Sequence, residues 1–157
     1  MKRLLPVLLS LILLFSHTFF AFAQCKSNYS NESVGNKVAL FEDGSFLVEG
    51  KVSVQYSKSQ IVSGSKPYYY YDANSVLQWT AVLSGSFSFN GSTSFCTGAA
   101  CSTSVQNGNW NESANNSSYA GNSAFASVTM VRKFLFIVVQ TETVNISLTC
   151  DANGNLT

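Results

Sequence analysis

Leu77-Gln78-Trp79-Thr80-Ala81-Val82-Leu83-Ser84-Gly85-Ser86-Phe87-Ser88-Phe89, followed by Asn90-Gly91, decides the fold. In an extended chain Leu77, Trp79, Ala81, Leu83, Phe87 and Phe89 share one face. Gln78, Thr80, Ser84, Ser86 and Ser88 share the other, and Val82 is the exception. A period of two with one apolar and one polar face is the pattern of a strand packed on a core and wet outside. Asn90-Gly91 tolerates positive φ at both residues, so it predicts a hairpin and a return strand over about 92–97.

The same alternation recurs on either side. Val144, Ile146, Leu148 and Cys150 alternate with Thr143, Asn145, Ser147 and Thr149; Val52, Val54 and Tyr56 alternate with Ser53, Gln55 and Ser57; Ala124, Ala126, Val128 and Met130 face away from Ser127 and Thr129. Asp43-Gly44, Asp72-Ala73-Asn74 and Asn107-Gly108 read as turns. Residues 111–122 read as a long polar loop and 151–157 as a polar tail. Phe134-Leu135-Phe136-Ile137-Val138-Val139 is a continuous apolar run, read most simply as a strand buried on both faces. Beside Arg132-Lys133 its rival reading is a membrane-inserting hairpin, although six residues are too few to cross a bilayer. Seven to nine short strands with polar outer faces predict an all-β fold. The expected form is a single antiparallel β-sandwich over 37–157, immunoglobulin-like or similar, with a small barrel as the alternative.

The N-terminus carries the pattern of an export signal. Met1-Lys2-Arg3 is basic, residues 4–20 are mostly apolar, and Ala21-Phe22-Ala23 has the small-x-small form of a cleavage site. We expect residues 1–23 to be removed and 24–36 to form an N-terminal arm. Gln24 before Cys25 does not suit a lipoprotein site, and no later apolar run is long enough for a stable anchor. The 157-residue chain is 11% charged with a net charge of +1. Losing Lys2 and Arg3 takes the charge to −1, and losing His17, the chain's one histidine, leaves none. Ser, Thr and Asn then make up about a third of the residues, an unusual bias. The charge balance offers nothing to a nucleic acid.

Four cysteines, Cys25, Cys96, Cys101 and Cys150, in a small exported chain read as two disulfides. Three pairings are open. We expect Cys96–Cys150 with Cys25–Cys101, because Cys96 and Cys150 fall in separate strands; the local alternative is Cys96–Cys101 with Cys25–Cys150. Residues 75–157 resemble a group of small secreted β-rich proteins of Gram-positive bacteria. The resemblance rests on the Leu77–Gly91 stretch, Thr93-Ser94-Phe95-Cys96, the lone Trp110, Gly121-Asn122-Ser123-Ala124, and the ending Leu148-Thr149-Cys150-Asp151-Ala152-Asn153-Gly154-Asn155-Leu156. It implies a bacterial secreted β-domain and supports the Cys96–Cys150 pairing. It transfers no activity.

The composition narrows the chemistry. Without histidine, Ser-His-Asp and Cys-His catalysis and His-ligated zinc are excluded from the exported chain, and no metal or other cofactor is expected. Ser63-Gly64-Ser65-Lys66 matches Ser-x-x-Lys, but the companion Ser-Asp-Asn and Lys-Thr-Gly elements are missing. Asp151 to Asn155 opens like a calcium loop, with its glycine misplaced and no closing Glu. Eight Asn-x-Ser/Thr sequons follow from the composition. The ligand candidates are aromatic. Tyr68-Tyr69-Tyr70-Tyr71 puts two rings on each face of a strand, one pair of which could meet a sugar or a protein, and Trp110 lies between two asparagines. Trp79 is expected in the core. The leading expectation is a secreted, non-enzymatic extracellular binding or surface module. Its partner would be an unknown glycan or protein, with Tyr68, Tyr69, Tyr70, Tyr71 and Trp110 as candidate contacts. The alternatives are a small hydrolase working with two carboxylates, for which no acid pair stands out, and a membrane-active effector.

Overall fold

The computed structural model describes residues 35–57 and 60–157, which fall in one compact unit, Ser33–Thr157. The expected signal peptide (1–23), most of the expected N-terminal arm (24–36) and Cys25 lie outside the described residues. Among the described residues nine strands appear: β1 (Asn36–Leu40), β2 (Phe46–Glu49), β3 (Ser53–Ser57), β4 (Ile61–Tyr71), β5 (Leu77–Phe89), β6 (Ser94–Val105), β7 (Trp110–Ala120), β8 (Ser123–Phe134) and β9 (Ile137–Thr149). Every pairing is antiparallel. One sheet runs β1-β2-β4-β5-β6 with β3 also on β4; the other runs β7-β8-β9. Neither closes into a barrel, so the expected all-β, two-sheet architecture is what forms. The strands are not uniformly short: β4 to β9 run 11 to 13 residues each.

The alternation in β5 does what its pattern dictates. Trp79, Ala81, Leu83 and Phe87 are buried. Opposite them the second sheet contributes Ala124, Ala126, Val128 and Met130 from β8 and Val144, Ile146 and Leu148 from β9. Gly85 lets the layers close: a Cβ there would meet the Phe87 ring at 2.7 Å and the Ala124 Cβ at 3.2 Å. At the β5–β6 turn, the Asn90 carboxamide oxygen accepts from the backbone N–H groups of Ser92 and Thr93, with Gly91 at φ +85°.

Four expectations are corrected. Residues 111–122 are not a loop, since β7 runs to Ala120 and pairs with β8 from Trp110↔Arg132 to Ala120↔Ser123. It is the edge strand of its sheet and is exposed along nearly all its length, so it carries no apolar period to read. Residues 134–139 are not buried. They form the tip of the β8–β9 hairpin, which runs on past Arg132 where β7 has ended. In β3, Val54 and Tyr56 are exposed although the strand forms as expected. The C-terminus is not a loose tail. The Asp151 carboxylate accepts from the backbone N–H groups of Asn153 and Asn155, Leu156 bridges back to Cys150, and Thr157 pairs with Thr149.

Candidate functional site

A cleft of about 850 Å³ opens at one end of the sandwich, where the β1–β2, β4–β5 and β6–β7 turns meet the base of the β8–β9 hairpin. Its floor follows from β4. Because side chains alternate along a strand, Tyr68 and Tyr70 share the inner face and are buried. Tyr69 and Tyr71 lie on the other face, half-buried, with Tyr71 stacked on Phe46 at 5.2 Å. Tyr70 stacks on Trp79 at 4.9 Å and meets Trp110 edge-on at 5.2 Å. Of the five aromatic candidates, Tyr70 and Trp110 line the cleft. They are only 1% and 3% exposed, so the cleft meets their edges rather than an open ring face. Tyr68 instead donates to Glu49 at 2.6 Å, and Lys66 pairs with the same carboxylate at 3.1 Å. That ion pair, and the contact of the Ser63 hydroxyl with Ser86, give the Ser-x-x-Lys motif a structural role within β4. The Trp110 indole N–H is buried with no partner among the described residues.

One wall is built around Gln140 of β9. Its amide nitrogen lies 2.9 Å from the Tyr70 hydroxyl oxygen, 3.0 Å from Asp43 Oδ2 and 3.0 Å from Glu142 Oε1. Two N–H groups cannot satisfy three acceptors at once, so this network has slack. Tyr70 donates to the Ser45 hydroxyl at 2.7 Å, and Ser45 donates in turn to Asp43. The Arg132 guanidinium donates to the Gln140 carboxamide oxygen at 3.3 Å. On the opposite wall the Gln78 amide donates to Asp72 at 3.0 Å, and Asn107 donates to Gln78 at 2.8 Å.

Sharing one amide places the nearest Asp43 and Glu142 oxygens within about 6 Å of each other. Their environments push them apart in acidity. Hydrogen bonds from Ser45 hold Asp43 below its ordinary range. Burial, reinforced by the charge of Asp43, raises Glu142. Sequence reasoning did not find this pair because nearly a hundred residues separate its members. The available signals were local: Asp43 sits in a turn, and Gln140 and Glu142 are two apart on one strand face.

Cys96 in β6 and Cys150, which directly follows β9, are both buried in the core and meet the β7–β8 turn. The Cys96 N–H donates to the Gly121 carbonyl at 2.8 Å and the Cys150 N–H to the Asn122 carbonyl at 3.0 Å. The Cys150 thiol is raised mainly by burial, with Cys96 close enough to add to it. Cys101 is half-buried on β6. Cys96, Cys101 and Cys150 are unbonded here, so neither expected disulfide is present among the described residues. No family model, curated protein or solved structure matches the chain.

Proposed function

We propose that the protein is an exported, non-enzymatic binding module whose cleft takes a carbohydrate. The observation that carries this reading is the lining of the cleft. Asp43, Asn74, Asn109, Arg132, Gln140 and Glu142 offer amide, guanidinium and carboxylate groups around two aromatic edges. Dense donors and acceptors over a small apolar floor suit a polyhydroxylated ligand better than an apolar one. The open rim asparagines supply groups that do not already hold the fold. Export fits the leader pattern and the Ser/Thr/Asn-rich surface. In an oxidising compartment the buried thiols of Cys96 and Cys150, whose backbones bond to the neighbouring residues Gly121 and Asn122, would join as a disulfide across the two sheets.

The test is a glycan array followed by calorimetry on the ligands it finds. N74A/N109A should weaken binding at least tenfold while leaving the melting temperature in place. Array-wide silence, or binding indifferent to N74A/N109A, refutes the reading. One observation favours a second reading, a glycoside hydrolase. Asp43 is held low and Glu142 is raised, the division expected of a base and an acid, and their nearest oxygens lie within about 6 Å. Turnover of aryl glycosides that E142Q abolishes would establish that reading instead.

A further inference from the structure

The β8–β9 hairpin ends in a feature the cleft does not explain. Phe134, Leu135, Phe136, Ile137, Val138 and Val139 are each at least half exposed, and Phe136 is 97% exposed. Phe134 pairs with Ile137 and Lys133 with Val138, so apolar groups stand on both faces of the hairpin. The turn between them is Leu135-Phe136, at φ +46° and +68°. Two successive positive-φ residues form the kind of turn for which Asn-Gly is the favoured pair. In the other turns among the described residues positive φ falls on Gly44, Gly91, Gly121 and Gly154, and on the polar residues Gln60 and Ser75; only at this tip does it fall on large apolar residues. Here the chain places two bulky apolar side chains in a strained conformation and leaves them in water. Neither the backbone nor the core gains from that choice, so it points to something outside the domain.

We propose that this tip is a wedge that inserts into the interfacial layer of a lipid bilayer containing anionic phospholipid. Three features favour a bilayer over a protein groove. Exposed apolar groups stand on both faces of the hairpin and at its turn, and fluid hydrocarbon surrounds a projection on all sides whereas a groove covers one face. The exposed Arg132 and Lys133 stand at the base of the apolar segment, where a lipid headgroup phosphate would lie. The length fits as well. Three residues per strand at roughly 3.3 Å each reach about 10 Å, which is deep enough for the headgroup–acyl boundary and too short to span. The acids of the neighbouring cleft, Glu42, Asp43 and Glu142, work against anionic lipid, so the apolar wedge supplies most of the binding and the two cations tune it. The apolar wedge stands independently of what the cleft binds, and of its two flanking cations Arg132 also lines the cleft.

The test is flotation of the secreted protein with phosphatidylcholine vesicles, with and without phosphatidylglycerol. Binding should occur and should be stronger with phosphatidylglycerol. L135S/F136S should lower it at least tenfold without loss of the folded near-ultraviolet spectrum. R132Q/K133Q should remove the preference for the anionic lipid. F136W should show a blue-shifted emission quenched by brominated acyl chains. A protein that floats with neither vesicle overturns the proposal. So does one that forms a dimer which L135S/F136S dissociates, because the tip would then serve self-association.

Discussion

Replacing Leu135-Phe136 by Asn-Gly should make the protein more stable, although both residues removed are large and apolar. Leu135 and Phe136 are 73% and 97% exposed, so their loss forfeits little buried area. Both hold positive φ, at +46° and +68°. The left-handed region costs an ordinary L-residue about 1–2 kcal/mol, and Asn and Gly largely escape that cost. Two residues together, less the extra backbone entropy of a glycine, give a gain of about 2 kcal/mol. A domain of roughly 120 residues unfolds with an entropy of about 0.25 kcal/mol/K, so the melting temperature should rise by about 8 °C. Calorimetry on L135N/F136G reads this directly, and the urea midpoint should rise with an unchanged slope. The same variant should lose vesicle binding. An unchanged or lower melting temperature would refute the reasoning, because the apolar pair would then be stabilising the fold.

Other perturbations reach the rest of the account. Glu142 is raised in the folded protein, so its ionisation costs stability as pH rises above the ordinary carboxylate range. E142Q should therefore raise the melting temperature at pH 7, with the gain fading below pH ~4. Asp43 is lowered, so it stabilises above its ordinary range and loses that contribution on acidification. D43N should lower the melting temperature at pH 7 and not at the lowest pH reached, and the opposite pattern for either variant would contradict the assigned environments. Peptide mapping of the protein produced under oxidising conditions, without reductant, should recover a Cys96–Cys150 linkage, whose reduction costs about 3–4 kcal/mol for a loop of roughly 50 residues; a Cys96–Cys101 linkage would contradict the proposed pairing. G154A should cost more than 1 kcal/mol on a urea melt, since Gly154 sits at φ +86° with its Cβ position 2.7 Å from the Phe89 ring. A neutral result would mean the C-terminal turn is not packed on the core.

What was legible in the sequence was whatever had one apolar and one polar face. β5 and the second half of β9 announced themselves, because Trp79, Leu83, Ile146 and Leu148 must be buried while their neighbours stay wet. β7 was invisible for the converse reason. An edge strand wet on both faces, such as Asn111-Glu112-Ser113-Ala114-Asn115, has the composition of a loop. The run at 134–139 misled because apolar composition cannot distinguish a buried strand from a projecting tip. Which one forms depends on where β7 stops, and that is set by tertiary pairing. The cleft had only fragments of a signal: Tyr70 and Trp110 were named as candidates, but their convergence with Asp43, Gln140 and Glu142 exists only once the two sheets have packed.

The proposal that the cleft takes a carbohydrate is tested most directly by following backbone and side-chain N–H resonances as a glycan identified on the array is titrated in. The account predicts that the Trp110 indole N–H, which lacks a partner among the described residues, and the Gln140 carboxamide shift together and saturably. Binding that leaves both resonances unmoved would place the ligand elsewhere and contradict the account.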